Sequence, residues 1–133
     1  MTATTDRIVT LFSDDRYTHL IGLRLVATDP VTVGLEIGKD HLNFHGGTHG
    51  GALFSLADCA FSLAANAPGD PAVAVDTHLA FTAAVATGDR VTAVATEVAR
   101  GRTMATYQVL LTRGDGRVCG LFTGTVYIIP AQS

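Results

Sequence analysis

The sequence predicts an α+β fold in which one strongly twisted antiparallel sheet wraps around a single apolar helix. Three observations carry this. Residues 51–66 are rich in Ala and Leu and contain no β-branched residue and no Pro, the composition of a long helix. After Pro68-Gly69-Asp70-Pro71 the composition switches to Val and Thr, which favour strands. Glycine-centred turns then cut that half into strand-length segments.

The elements follow in order. Residues 5–18 mix apolar and charged positions and read as one or two short helices, so 1–18 forms an N-terminal helical segment. A first strand is expected over Leu20 to Ala27, turned by Asp29-Pro30, and a second over Val31 to Ile37. Gly38 to Thr48 is polar, with glycines and histidines, and reads as a loop. The long helix follows His49, and four strands come after it at about 72–82, 90–99, 103–113 and 117–128. Their turns are Gly88-Asp89, Gly101 and Gly114-Asp115-Gly116. Residues 1–133 are read as one domain, without repeat or linker. A sheet that shelters one face on one helix leaves its other face and its edges open, so a homodimer is expected, assembling to a homotetramer.

Composition narrows the function. Nine Lys and Arg against twelve Asp and Glu, with Lys39 the one lysine, is not the footprint of a nucleic-acid binder. No run approaches the roughly 20 apolar residues of a membrane span. Met1 to Arg7 lacks the apolar stretch of a signal peptide. Cys59 and Cys119 sit in apolar stretches without metal or redox spacing and are expected as buried free thiols, which favours a cytoplasmic location. His45 and His49 are four apart, but in a glycine-rich loop that does not put them on one face, so no metal site is expected.

On a helical wheel, Leu53, Leu56, Ala57, Ala60, Phe61 and Ala64 form one apolar stripe. Gly51, Ser55, Asp58 and Ser62 lie opposite, and Phe54, Cys59 and Leu63 fill the flanks. Asp58 is the one charge on this helix. A carboxylate on so apolar a helix must face solvent, accept hydrogen bonds, line a cleft or hold its proton more tightly than usual. At the other end, Gly50 and Gly51 open the helix, where the first backbone N–H groups lack partners and the positive end of the helix suits an anion or a developing oxyanion. The glycine tip of the helix and Asp58 are about 11 Å apart at 1.5 Å per residue, too far to act on one carbonyl carbon. A two-fold axis that brings Gly50 of one copy to Asp58 of another removes the difficulty. Arg100 and Arg102 flank a strand turn and are either solvated or a clamp for phosphates.

With these residues in place the chain resembles the PaaI-type hotdog thioesterases of the phenylacetate-degradation branch. The resemblance rests on the spacing Asn-x5-His-Gly-Gly-x6-Asp, here Asn43, His49-Gly50-Gly51 and Asp58, with Leu53 to Ala57 and Ala60-Phe61 around it. Phe81, Gly88-Asp89 and Arg100-Gly101-Arg102-Thr103 extend it over residues 15–128. It implies a hotdog fold and hydrolysis of an acyl-CoA thioester of aryl, phenylacetyl or medium-chain type. Coenzyme A is then part of the substrate, and no further cofactor is implied. It further implies that Asp58 is general base or nucleophile, that Gly50 N–H holds the thioester oxygen, and that Asn43 orients the carbonyl or the attack. His49 would shape the loop and contact the thioester, and Ser62 would hold the attacking water. Gly51, Phe81, Arg100 and Arg102 would bind substrate, in sites built between two subunits. The chain departs from the family where Phe-x-Arg-Pro is common, reading Phe81-Thr82-Ala83-Ala84; if the missing arginine holds the nucleotide end of coenzyme A in the family, either Arg100 or Arg102 compensates here or affinity falls. The competing expectations are a hotdog dehydratase or hydratase and a non-catalytic acyl-CoA-binding module.

Overall fold

The computed structural model describes residues 2–130. Two short helices, α1 (Ala3–Asp14) and α2 (Arg16–Leu20), precede β1 (Arg24–Thr28) and β2 (Val31–Glu36). The long helix α3 (Gly50–Asn66) leads to β3 (Ala72–Phe81), β4 (Arg90–Arg100), β5 (Met104–Arg113) and β6 (Val118–Ile128). All six strands form one antiparallel sheet in the order β1-β2-β4-β5-β6-β3.

The helix lies in the concave side of this sheet. Leu56, Ala57, Ala60 and Phe61 are fully buried, as the wheel required. The sheet meets them with every second residue: Val33 and Leu35 from β2, Val91 and Ala93 from β4, Tyr107, Val109 and Leu111 from β5, Phe122 and Val126 from β6. Register shifts in β1, β3, β4 and between β5 and β6 mark irregularities of the kind that strengthen local twist and help a sheet curl. Gly124 gives Phe61 its seat. A Cβ there would stand 2.7 Å from the Phe61 ring and 2.9 Å from that of Phe122.

The N-terminal segment departs from expectation. Asp15 ends α1 and caps α2, its side chain accepting the Thr18 N–H at 3.1 Å. Leu20, expected in a strand, is therefore the last residue of α2. The chain escapes the helix at Gly22 (φ +82°), a conformation that favours glycine, and β1 starts only at Arg24. The expected loop Gly38 to Thr48 holds one 3-10 turn (Lys39–His41) and a bridge between Leu42 and Thr48. The remaining strand ends agree with the expected ranges within one residue. Cys59 and Cys119 are buried and free. No helix among the described residues is long and apolar enough to cross a membrane.

Burial does not alternate along β3. It pairs with β6 alone, and Val73 and Val75 stay half exposed. Gly124→Ala should lower stability by about 1–3 kcal/mol, because a methyl group forced against two ring edges must displace Phe61 or the strand. Urea unfolding monitored by circular dichroism measures it.

Candidate active site

One end of α3 and one of its faces matter. At the start of the helix, His49 is the N-cap, and its Nδ1 accepts the Gly51 N–H at 2.8 Å. That contact needs a glycine at 51, since a Cβ there would lie 2.9 Å from the same nitrogen. With Nδ1 accepting, the neutral ring carries its proton on the exposed Nε2. The Ala52 N–H goes to the His49 carbonyl at 3.0 Å. The Gly50 N–H meets no acceptor among the described residues and is the free donor at this positive helix end.

Phe81, at the end of β3, stands over Gly50, where a Cβ would meet its ring at 3.1 Å. The ring and the glycine border an open cleft of about 420 Å³ with Thr48, Leu53, Ala83 and Val85. Ala83 and Ala84, where the family's Arg-Pro would stand, line it too, so this wall is small and apolar.

The loop before the helix is tied from within. Asn43 Oδ1 accepts the backbone N–H of His45 at 2.9 Å and of Gly47 at 3.1 Å, and its own N–H donates to the Gly47 carbonyl at 2.7 Å. The Thr48 hydroxyl donates to the Val85 carbonyl at 2.5 Å. His41 is a residue that the sequence did not single out. Its Nδ1 accepts the Gly38 N–H at 2.9 Å, so Nε2 holds the proton and donates to the Ile21 carbonyl at 2.7 Å. Its carbonyl accepts the His49 N–H at 2.7 Å, which fixes the N-cap. The only signal for it in the sequence is a histidine between two glycine-containing turns.

Asp58 lies two turns along, half-buried, with no hydrogen bond to its carboxylate among the described residues. Burial, and then the Asp15 carboxylate, push its pKa above the ordinary carboxylate value. The polar face of α3 is not simply solvated. Tyr17 Oη lies 3.0 Å from Ser55 Oγ, and the Thr18 hydroxyl donates to Cys59 Sγ at 3.8 Å, so α2 lies along it. Ser62 borders a small cavity of about 140 Å³ with Leu11, Asp15, Cys59, Leu63 and Asn66.

Asn43, His49, Gly50, Gly51 and Phe81 are thus brought to one end of α3, and Asp58 and Ser62 lie along its face. Arg100 and Arg102 do not join them within the protomer. The strand register puts their turn beside Ile128 and the start of β3, whereas Phe81 ends β3 nine residues, about 30 Å, away. Arg100 is also engaged, donating to Tyr107 Oη at 3.0 Å and Glu97 Oε1 at 3.4 Å. Tyr107 donates to the same Glu97 oxygen at 2.9 Å, and burial together with that carboxylate raises its pKa to about 12. Arg102 is exposed and makes no ion pair among the described residues.

Residues 45–120, which hold both the helix start and Asp58, match the family model of the thioesterase superfamily. The chain belongs to that superfamily. Within it the relatives point to the PaaI type. The chain is 30% identical to the acyl-coenzyme A thioesterase PaaI of Escherichia coli over 116 residues, 86% of this chain and 83% of that one. The structure of the Escherichia coli PaaI protein superposes with a TM-score of 0.92, covering 97% of this chain and 95% of that one at 27% identity. A point mutant of the phenylacetic acid degradation protein PaaI from Thermus thermophilus is 40% identical, with a TM-score of 0.83 over 86% of this chain and 100% of that one. A third structure, smu.793 of Streptococcus mutans bound to acetyl CoA, gives a TM-score of 0.72 at 25% identity over 77% and 83% of the two chains. The expected hotdog fold is therefore the fold observed, and this thioesterase-superfamily protein is a thioester hydrolase.

The state of Asp58 has a consequence for stability. Its folded pKa is raised, so its ionised form weakens the fold at pH above that value, and the penalty disappears below the unfolded carboxylate value of about 4. Asp58→Asn should therefore raise Tm at neutral pH, with a gain that vanishes as the pH falls to that unfolded value. Thermal scans of both proteins across pH check this.

Proposed function

We propose that the protein hydrolyses an acyl-CoA thioester in a site shared by two copies of the chain, with Asp58 as base and Gly50 N–H as oxyanion donor. The observation that carries the proposal is the pairing, on one helix, of an unengaged N-terminal N–H with an unpartnered, half-buried carboxylate two turns on. The acetyl CoA held by the Streptococcus mutans relative supports coenzyme A as the carrier.

The chemistry is acyl transfer to water. The thioester oxygen takes the Gly50 N–H, which stabilises the charge that develops when the carbonyl carbon is attacked. Asp58 accepts a proton from the attacking water, and its raised proton affinity strengthens it as a base. The tetrahedral intermediate then collapses and breaks its C–S bond, the leaving coenzyme A sulfur takes up the proton that Asp58 had accepted, and the free acid and an ionised Asp58 remain. The Ser62 hydroxyl, one turn beyond Asp58, holds that water in this reading, and Asn43 and His49 keep the loop in the shape that exposes Gly50. The small wall of Ala83 and Ala84 beside Phe81 suits the acyl group, of aryl or medium-chain size.

Two features support a second copy as part of the site. β3 offers ten residues of unpaired edge, about 34 Å, with Val73 and Val75 exposed beside it. Phe44, next to Asn43, is 93% exposed, an apolar ring held out from the loop. Antiparallel pairing of two β3 edges puts the start of one strand against the end of the other. The Arg100–Thr103 turn of one copy then comes to the Phe81 and Gly50 end of its partner, where Arg102 is free to meet the coenzyme A phosphates. Two such dimers form the expected tetramer.

Thiol release from phenylacetyl-, hydroxyphenylacetyl-, benzoyl-, hexanoyl- and acetyl-CoA tests the reaction. Asp58→Asn should lower kcat by about 10²-fold or more with the fold retained, and an unchanged rate would remove Asp58 from the mechanism. Formation of an enoyl thioester from a 3-hydroxyacyl substrate, without thiol release, would point to a dehydratase instead. The shared site is tested by mixing. Gly50→Val, which drives a side chain into Phe81, and Asp58→Asn should each be inactive, yet co-refolded together they should regain activity, because one site of each mixed dimer is intact.

A further inference from the structure

The cleft at the tip of α3 has walls that restrict what can enter it. No residue that lines it carries an ionisable side chain, and Thr48 alone carries a polar one. That hydroxyl is committed to the Val85 carbonyl at 2.5 Å. The Ala84 carbonyl is taken as well, by Arg113 Nη1 at 2.6 Å. Arg113 is not free to turn inward, since its other nitrogens hold the Asp115 carboxylate at 3.0 and 2.7 Å. Beside Gly50 the Phe81 ring is 58% exposed and offers an open apolar face. The cleft thus joins the free Gly50 N–H to a wall without a free polar side chain.

We infer that this cleft selects acyl groups that are uncharged and carry no hydroxyl, with Ala83 and Ala84 as the wall that sets the specificity. The inference rests on the reading of the protein as an acyl-CoA hydrolase with Gly50 as oxyanion donor, and it deepens that reading. A thioester whose oxygen sits on the Gly50 N–H can send either its acyl group or its pantetheine arm into the cleft. The arm carries amides, and an amide withdrawn from water without a partner costs free energy. The acyl group is the part that an apolar wall accepts without that loss. The arm then runs outward, towards Arg102 of the partner copy in the arrangement above, and the acyl group enters. An aryl ring there gains the face of Phe81. A hydroxyl on that ring gives up water and meets no free side-chain partner, and a carboxylate at the end of a chain gives up far more. A volume of about 420 Å³ accommodates any of these groups, so polarity and not size makes the selection.

The test compares kcat/KM for thiol release within two matched pairs. Phenylacetyl-CoA is set against hydroxyphenylacetyl-CoA, and hexanoyl-CoA against adipoyl-CoA, which differs by a carboxylate at the far end of the chain. Within a pair the coenzyme A contacts are the same and cancel. Phenylacetyl-CoA should be preferred over its hydroxylated partner by about tenfold to a hundredfold, and hexanoyl-CoA over adipoyl-CoA by more. Ala84 is exposed, so Ala84→Arg and Ala84→Asp should keep the native Tm and circular dichroism. Ala84→Arg should shrink the hexanoyl preference by about tenfold, the effect of one charged hydrogen bond, and Ala84→Asp should enlarge it. A ratio near one in either pair, or a hexanoyl preference that both folded variants leave unmoved, would overturn the inference, while thiol release that Asp58→Asn abolishes keeps the hydrolase reading. Absence of thiol release from all of these substrates would instead overturn that reading, and this inference with it.

Discussion

Burial of the apolar stripe of α3 in the hollow of the sheet is the constraint on which the rest depends. Phe61 reaches β6 because position 124 carries no side chain, and Ala57, Ala60 and Ala93 are small enough to let helix and sheet close together. Once that stripe is committed, the rotation of the helix is settled. Ser55, Asp58 and Ser62 must then face away from the sheet, and the helix must begin at the rim where β3 ends. The position of the candidate site is thus a consequence of packing.

The start of the helix shows how local bonds finish what packing begins. His41 and His49 are both neutral acceptors at Nδ1, each receiving one backbone N–H, and together they join the end of α2, the 38–41 turn and the first turn of α3. Asn43 closes the intervening loop with its own side-chain oxygen. These bonds consume the N–H groups around the helix tip and leave that of Gly50 unspent. An oxyanion donor that needs no rearrangement at the moment of reaction is worth more than one that must first be released from a partner.

Opposing demands meet at Asp58. A carboxylate without hydrogen bonds, shielded from water and beside another acid, weakens the fold at neutral pH. The same features suit it to take a proton. The arginines illustrate the converse case, where a charge is satisfied locally. Arg100 is spent on Glu97 and Tyr107, and Arg102, two residues further, stays exposed.

Much of this is legible in the residues themselves. Composition marks α3 and the four strands after it, since Ala and Leu without β-branching make helix and alternating Val and Thr make strand, and both preferences act over a few residues. The spacing from Asn43 to Asp58 marks the candidate site for the same reason, because it lies within one loop and one helix. Leu20 reads as strand and folds as helix, because the helix there is set by one cap, Asp15, and ended by one glycine at positive φ, signals weaker than the apolar run that follows. Three things are decided only by tertiary structure: that α2 lies against Ser55 and Cys59 of α3, that Phe81 stands on Gly50, and that the Arg100 turn falls at the far end of β3 from Phe81 and Gly50. Each joins residues more than 25 positions apart, and no local preference of the chain specifies such contacts. The curl of the sheet and the seat of one helix within it do.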